Sequence, residues 1–166
     1  PYNIKSISSL AQNPEMISSY KTRNTSLPGY DMLIITKDKY IKGFSPYIDY
    51  YNSIGIRTKI VGTKMIFSDI EGQDYQEKIR NYIKQEYQNE GISLVTLGGD
   101  VTIIPHKDFY SSVNDGELER YDIPADMYYS NLDGTWNDDG DDKWGEIEEA
   151  DLLPEIGISR MSFTSN

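Results

Sequence analysis

The sequence predicts an α/β fold of three layers, a mostly parallel four-stranded sheet flanked by helices. Three observations carry that expectation. The runs Met32-Leu33-Ile34-Ile35-Thr36 and Ser93-Leu94-Val95-Thr96-Leu97 have the length and β-branched content of strands buried on both faces. Segments with apolar residues at helical spacing lie between the strand-like runs. Strand, helix, strand, helix, strand at these lengths implies right-handed crossovers between parallel strands.

Taken in order, residues 1–28 are polar, rich in Ser and Asn, and broken by Asn13-Pro14 and Pro28-Gly29. They read as an extended lead-in with a short helix near Ser8–Gln12, and residues 29–166 as a single α/β domain. After the first strand, Ser45 is the expected N-cap of a helix with Pro46 at its first position. Tyr47, Ile48, Tyr51 and Ile54 recur at helical spacing, and Gly55 suits a left-handed C-terminal position. Thr58-Lys59-Ile60-Val61 is the second strand. Asp74 caps the next helix, whose apolar face is Tyr75, Ile79, Tyr82, Ile83 and Tyr87, and Gly91 stops it. The third strand ends at Gly98-Gly99-Asp100. An irregular acidic stretch follows, then a fourth strand over Glu155-Ile156-Gly157-Ile158-Ser159-Arg160. The expected strand order is 2-1-3-4.

Composition narrows the function. The 166 residues include no Cys and one His, His106. Disulfides, thiolate-held metals and a thiol nucleophile within this chain are thereby excluded. No apolar run reaches the roughly 18 residues of a membrane span, so no membrane insertion is expected. The chain begins at Pro1 without Met, which suggests a trimmed or processed product. The net charge of −11 is concentrated. Residues 1–114 carry 12 acidic and 13 basic side chains, whereas residues 115–155 carry 15 acidic and two basic ones. With no basic stripe to displace counterions from phosphate, nucleic acid is not an expected partner.

The strongest chemical signal lies in an acidic loop at 131–149. Six carboxylates fall within residues 133–146 and would repel one another without a cation. Hard cations such as Ca²⁺ take six to eight oxygens at about 2.3–2.6 Å. Asn137, Asp139 and Asp141 alternate, Gly140 permits a turn, Glu146 can close the shell in a bidentate manner, and Asp133 stands at the loop's start. These five are the expected metal ligands, with Ca²⁺ the expected ion. The spacing is not that of an EF-hand, because Asp142 stands where its Gly should be. Another cation, or a solvated acidic loop with no ion, are the competing readings. Trp136 and Trp144 should pin the loop to the body. Gly98-Gly99-Asp100 lacks both a phosphate-binding glycine pattern and a Walker lysine, and reads as a tight turn with Asp100 bonding local amides. His106 reads as a turn residue. Asp31 and Asp38 flank the first strand as acids do in receiver domains, a reading that would place chemistry at Asp31, Asp38 or Asp100.

Several strings, in order, resemble the gingipain-like cysteine peptidases, peptidase family C25. They are Tyr30–Thr36; Leu94–Asp100 with Ile104-Pro105; Asp122-Ile123-Pro124-Ala125-Asp126-Met127-Tyr128-Tyr129; Leu132-Asp133-Gly134-Thr135-Trp136; and Pro154–Arg160, where Ser159 replaces the usual Gly. The resemblance implies the N-terminal subdomain of the family's two-part catalytic unit, a half-domain similar to caspases and of Rossmann-like type. It implies a secreted or cell-surface bacterial protein. It also implies that the catalytic Cys and His lie in a following, C-terminal catalytic subdomain of the same parent chain, through which protein or peptide substrates would be reached. His106 does not match the family's Gly-His-Gly motif, so no catalytic residue and no cofactor-binding residue is assigned here. The long acidic loop departs from the arginine- and lysine-specific members, whose specificity is therefore not carried over. The alternative is a cation-dependent α/β binding module or a pseudopeptidase domain.

Overall fold

The structure is a computed structural model describing residues 29–113, 118–150 and 152–164. The expected lead-in, with its helix near Ser8–Gln12, lies outside the described residues. The elements are β1 (Met32–Thr36), a 3₁₀ segment (Asp38–Phe44), α1 (Ser45–Ser53), β2 (Thr58–Gly62), α2 (Thr63–Asp69), α3 (Tyr75–Glu90), β3 (Leu94–Gly98), β4 (Lys107–Val113), β5 (Leu118–Ala125), α4 (Met127–Ser130) and β6 (Gly157–Met161).

Four parallel strands run in the order β2-β1-β3-β6, as expected. The register aligns Thr36 with Gly62 and Gly98, and Gly98 with Met161, so the carboxyl ends form one row. All five residues of the central strand β1 are buried, which explains its unbroken apolar run. Strand β6 lies at the sheet's border and alternates between exposed and half-buried residues.

The two sheet faces differ. Leu33, Ile35, Val95 and Leu97 meet Ile79 and Ile83 of α3 and Ile66 of α2 in the main core. At roughly 25 cal/mol per Å², this burial is the dominant stabilising contribution. On the other face, Thr96 Oγ1 lies 3.5 Å from Tyr47 Oη of α1 and donates to Met32 Sδ at 3.8 Å. That layer is thin, since no residue of α1 is fully buried and Ile54 is exposed.

Local rules hold at α3. Asp74 Oδ1 accepts from the Glu77 backbone N–H at 2.6 Å, and Gly91 closes the helix at φ 71°. At α1 the capping expectation is corrected. Phe44 holds the N-cap position and Ser45 is already helical, its hydroxyl donating back to the Lys42 carbonyl at 3.1 Å. The 3₁₀ segment runs directly into the helix and leaves no extended residue to cap it. The stretch after β3 is likewise not wholly irregular. Strands β4 and β5 pair antiparallel as a separate two-stranded sheet, with a register shift between Phe109 and Ser111.

Candidate functional site

The acidic loop sits on the α3 face of the sheet, held from both ends. Its first limb closes over Arg80, a residue 5% exposed. The Arg80 guanidinium donates to the carbonyls of Asn131 (2.9 and 3.1 Å), Asp133 (2.7 Å) and Gly134 (3.1 Å) and faces the Tyr128 ring at 5.0 Å. Burial lowers the Arg80 pKa, opposed by Tyr128, Asp133, Glu155 and Glu77. These carbonyls do for the guanidinium what water would otherwise do.

Both tryptophans anchor the loop, as the sequence led us to expect. Trp136 is buried in the main core beside Phe109, at 4.8 Å between ring centroids. It adopts φ 67°, a left-handed backbone rare for an aromatic residue, and its indole N–H is buried without a hydrogen-bond partner among the described residues. Trp144 packs against the same core, its carbonyl accepting from the Tyr110 N–H of β4 at 2.7 Å. The Gly145 N–H then donates to the Trp136 carbonyl at 2.8 Å, tying the two limbs together. Gly145 is required there: it has φ 78°, and a Cβ would come within 2.7 Å of the Phe109 ring.

Of the five expected ligands, Asp139, Asp141 and Glu146 each bring a carboxylate oxygen within 4.8 Å of the others. Asn137 shapes the turn: its Oδ1 accepts from Gly140 N–H at 2.9 Å and its Nδ2 donates to the Asp141 carbonyl at 2.8 Å. Asp133 lies at the Arg80 end of the loop, where its carbonyl is held. Glu149 was not anticipated. Its Oε1 accepts from the backbone N–H groups of both Asp138 and Asp139, at 2.9 and 3.1 Å. The Glu146 carboxyl is raised above its ordinary value, first by desolvation and then by Asp141, Asp139 and Glu149, with Lys143 opposing. Three carboxylates converging on one point offer the oxygen donors that a hard divalent cation takes.

The carboxyl ends of the strands form a second region, on the α1 side. A cleft of about 600 Å³ is lined there by Tyr40, Phe44, Tyr47, Met161 and Phe163. Gly98 lets the Phe44 ring pack against the end of β3, because a Cβ there would lie 2.5 Å from Phe44 Cζ. Asp100 behaves as the sequence suggested, its Oδ1 accepting from the Thr102 N–H (3.0 Å) and hydroxyl (2.7 Å).

The receiver-like reading finds its acids engaged elsewhere. Asp31 accepts from Arg57 N–H and Nε at 2.9 and 3.0 Å, and Asp38 accepts from the Lys64 N–H at 3.0 Å. His106 Nε2 lies 2.8 Å from Asp108 Oδ1. Arg160, in β6, is a clamp. Its guanidinium grips Asp126 at 2.6 and 2.7 Å and donates to the carbonyls of Gly99 (3.0 Å) and Ile104 (2.7 Å). It thus joins β6, the loop after β3 and the residue preceding α4.

The sequence and fold are similar to those of known proteins. The family model described as peptidase family C25 matches residues 25–166. Gingipain R2 of Porphyromonas gingivalis is 29% identical over 105 residues, covering 62% of this chain but 12% of that protein. Gingipain R1 of the same species is equally similar over the same length. The crystal structure of the Arg-specific cysteine proteinase gingipain R (RgpB) matches 88% of this chain at 25% identity, with a TM-score of 0.55. The complex of the RgpB pro- and mature domains from P. gingivalis matches 81% at 26% identity, with a TM-score of 0.54. This chain spans about a quarter of those solved chains, 27% and 25% respectively. From the ordered strings, the sheet that carries them and the match across most of its length, the chain belongs to peptidase family C25.

Proposed function

We propose that this chain is the non-nucleophilic half of a secreted gingipain-like cysteine endopeptidase. In that enzyme a thiolate attacks the peptide carbonyl and a His moves the proton. Both groups come from polypeptide other than these residues. The observation that carries the reading is the family match combined with the chain's own inventory: it has no Cys, and its one His is paired with Asp108. The contribution of this half is structural. It presents a rigid parallel sheet whose carboxyl ends, lined by Tyr40, Phe44 and Met161, form one wall of the cleft that receives the catalytic half and the peptide. No helix among the described residues is long and apolar enough to cross a membrane.

The acidic loop, on this reading, holds Ca²⁺ through Asp139, Asp141 and Glu146, with Asn137 and Asp133 shaping and delimiting the loop. The ion would neutralise the carboxylates and brace the α3 side of the scaffold.

A peptidyl probe that alkylates thiols, applied to the intact parent protein, tests the assignment. Peptide mapping should find the label on a Cys outside these 166 residues, and prior alkylation of that Cys should abolish hydrolysis. Hydrolysis that persists after every thiol in the parent is blocked would defeat the proposal.

A further inference from the structure

We propose that Lys107 is a positioning residue for the acidic loop, an internal cation that holds the loop's second limb in place before any metal binds. The inference rests on the reading of this loop as a cation site, and it concerns how that site is kept formed.

Lysine is seldom buried without a partner, because an ammonium taken out of water must recover its solvation. Lys107, at the start of β4, is 9% exposed. Its Nζ lies 2.9 Å from Asp74 Oδ2 and 3.5 Å from the centroid of the Trp144 ring, with the Tyr128 ring at 5.5 Å. Three elements therefore converge on one ammonium: the N-cap residue of α3, the loop's second tryptophan and α4. The attraction between a desolvated cation and an indole face orients the half-buried Trp144 ring. Trp144 stands three residues after Asp141 and two before Glu146, between two of the three converging carboxylates. Fixing its ring and, through Tyr110 N–H, its carbonyl fixes the path that brings those oxygens together.

The first limb is held in the same manner by Arg80, which takes three loop carbonyls. Each limb thus closes on a protein cation, and Gly145 N–H ties the limbs to each other. None of these contacts involves the carboxylates of Asp139, Asp141 or Glu146. The loop is consequently formed without a metal, and the metal meets a site already assembled. A loop held only by its ion would instead collapse when the ion is removed.

The test uses the purified chain, its two tryptophans and Tb³⁺ as the probe ion. In chelator, the near-ultraviolet circular dichroism of the wild type should retain the sharp tryptophan bands of a fixed indole. Lys107→Met should lose much of that signal while keeping the far-ultraviolet helical signal, and should bind Tb³⁺ at least tenfold more weakly in tryptophan-sensitised luminescence. Lys107→Arg, which keeps a cation against both Asp74 and the indole, should restore most of the affinity. Asp74→Asn retains an N-cap for α3 but removes the carboxylate that orients Lys107. It should shift Tb³⁺ affinity in the same direction, and it decides the matter if Lys107→Met does not fold. The inference is overturned if chelator erases the tryptophan bands of the wild type, or if the Lys107 and Asp74 variants titrate like the wild type. If the wild type binds no Tb³⁺, the cation reading fails, and the bands in chelator still decide whether Lys107 anchors the loop.

Discussion

Replacing Arg160 by Met should cost about 2–4 kcal/mol of folding stability. The guanidinium makes four hydrogen bonds, two to the Asp126 carboxylate and one each to the Gly99 and Ile104 carbonyls. Its side chain is 12% exposed and that of Asp126 is 28% exposed. Breaking a buried ion pair from one side typically costs about 3–5 kcal/mol, because the remaining charge stays desolvated. The partial exposure of Asp126 lets water recover some of that, while the two carbonyls lose a charged donor. For a chain of this size each kcal/mol lowers Tm by about 2–4 °C, so a fall of about 4–16 °C is expected. The assay is thermal and urea unfolding of wild type, Arg160→Met, Asp126→Asn and Arg160→Met/Asp126→Asn. The double variant removes the stranded charge and should recover part of the loss. A shift below about 1 kcal/mol, or a double variant as unstable as the sum of its parts, would refute the clamp.

Other expectations concern the loop, the helix and a turn. Millimolar Ca²⁺ should raise Tm and chelator should reverse the rise, by about 2.7 kcal/mol at a hundredfold excess over Kd; Asp139→Ala should abolish the effect and Asp142→Ala should leave it, as differential scanning fluorimetry would show. Burial, with the Glu90 charge adding to it, pushes the Glu86 carboxyl up to about 7 from 4.5. A raised carboxyl contributes stability that is intact below about pH 4.5 and lost as pH rises through about 7, Lys59 at 3.0 Å being too solvated to cancel the burial. The Tm of Glu86→Gln should therefore gain on the wild type between pH 4.5 and 7, and parallel curves would contradict this. Gly145→Ala forces a Cβ to 2.7 Å from Phe109 at φ 78° and should destabilise by about 1–3 kcal/mol, with a red shift of tryptophan emission.

The sheet was legible because its strands obey one rule. A strand covered on both faces must be mostly apolar, and β1 and β3 carry one Thr each, Thr36 and Thr96; two crossovers of helical length then fix the order β2-β1-β3. Asp74 and Gly91 bounded α3 to the residue because caps are local chemistry. The hairpin was missed for the converse reason. Most of β5 is exposed, so it lacks an apolar face to read, although Asp115-Gly116 between two alternating segments is a hairpin signal in the sequence. In the loop, the alternation Asp139, Asp141 and the closing Glu146 marked the carboxylates that converge. Arg80, Lys107 and Glu149 left no such trace. Arg80 and Glu77 flank the apolar face of α3 like ordinary surface charges, and only the folded loop shows that Arg80 is enclosed by carbonyls. Long-range burial of a charge is set by what packs over it, which no local pattern encodes.

Peptide hydrolysis by this chain, by the remainder of its parent catalytic unit, and by the two mixed is the most direct measurement of the division of labour proposed above. This half alone should cleave nothing and take up no thiol label, and mixing should restore hydrolysis that a thiol alkylator applied to the other half prevents. Cleavage by these residues unaided, or full activity of the other half without them, would contradict it.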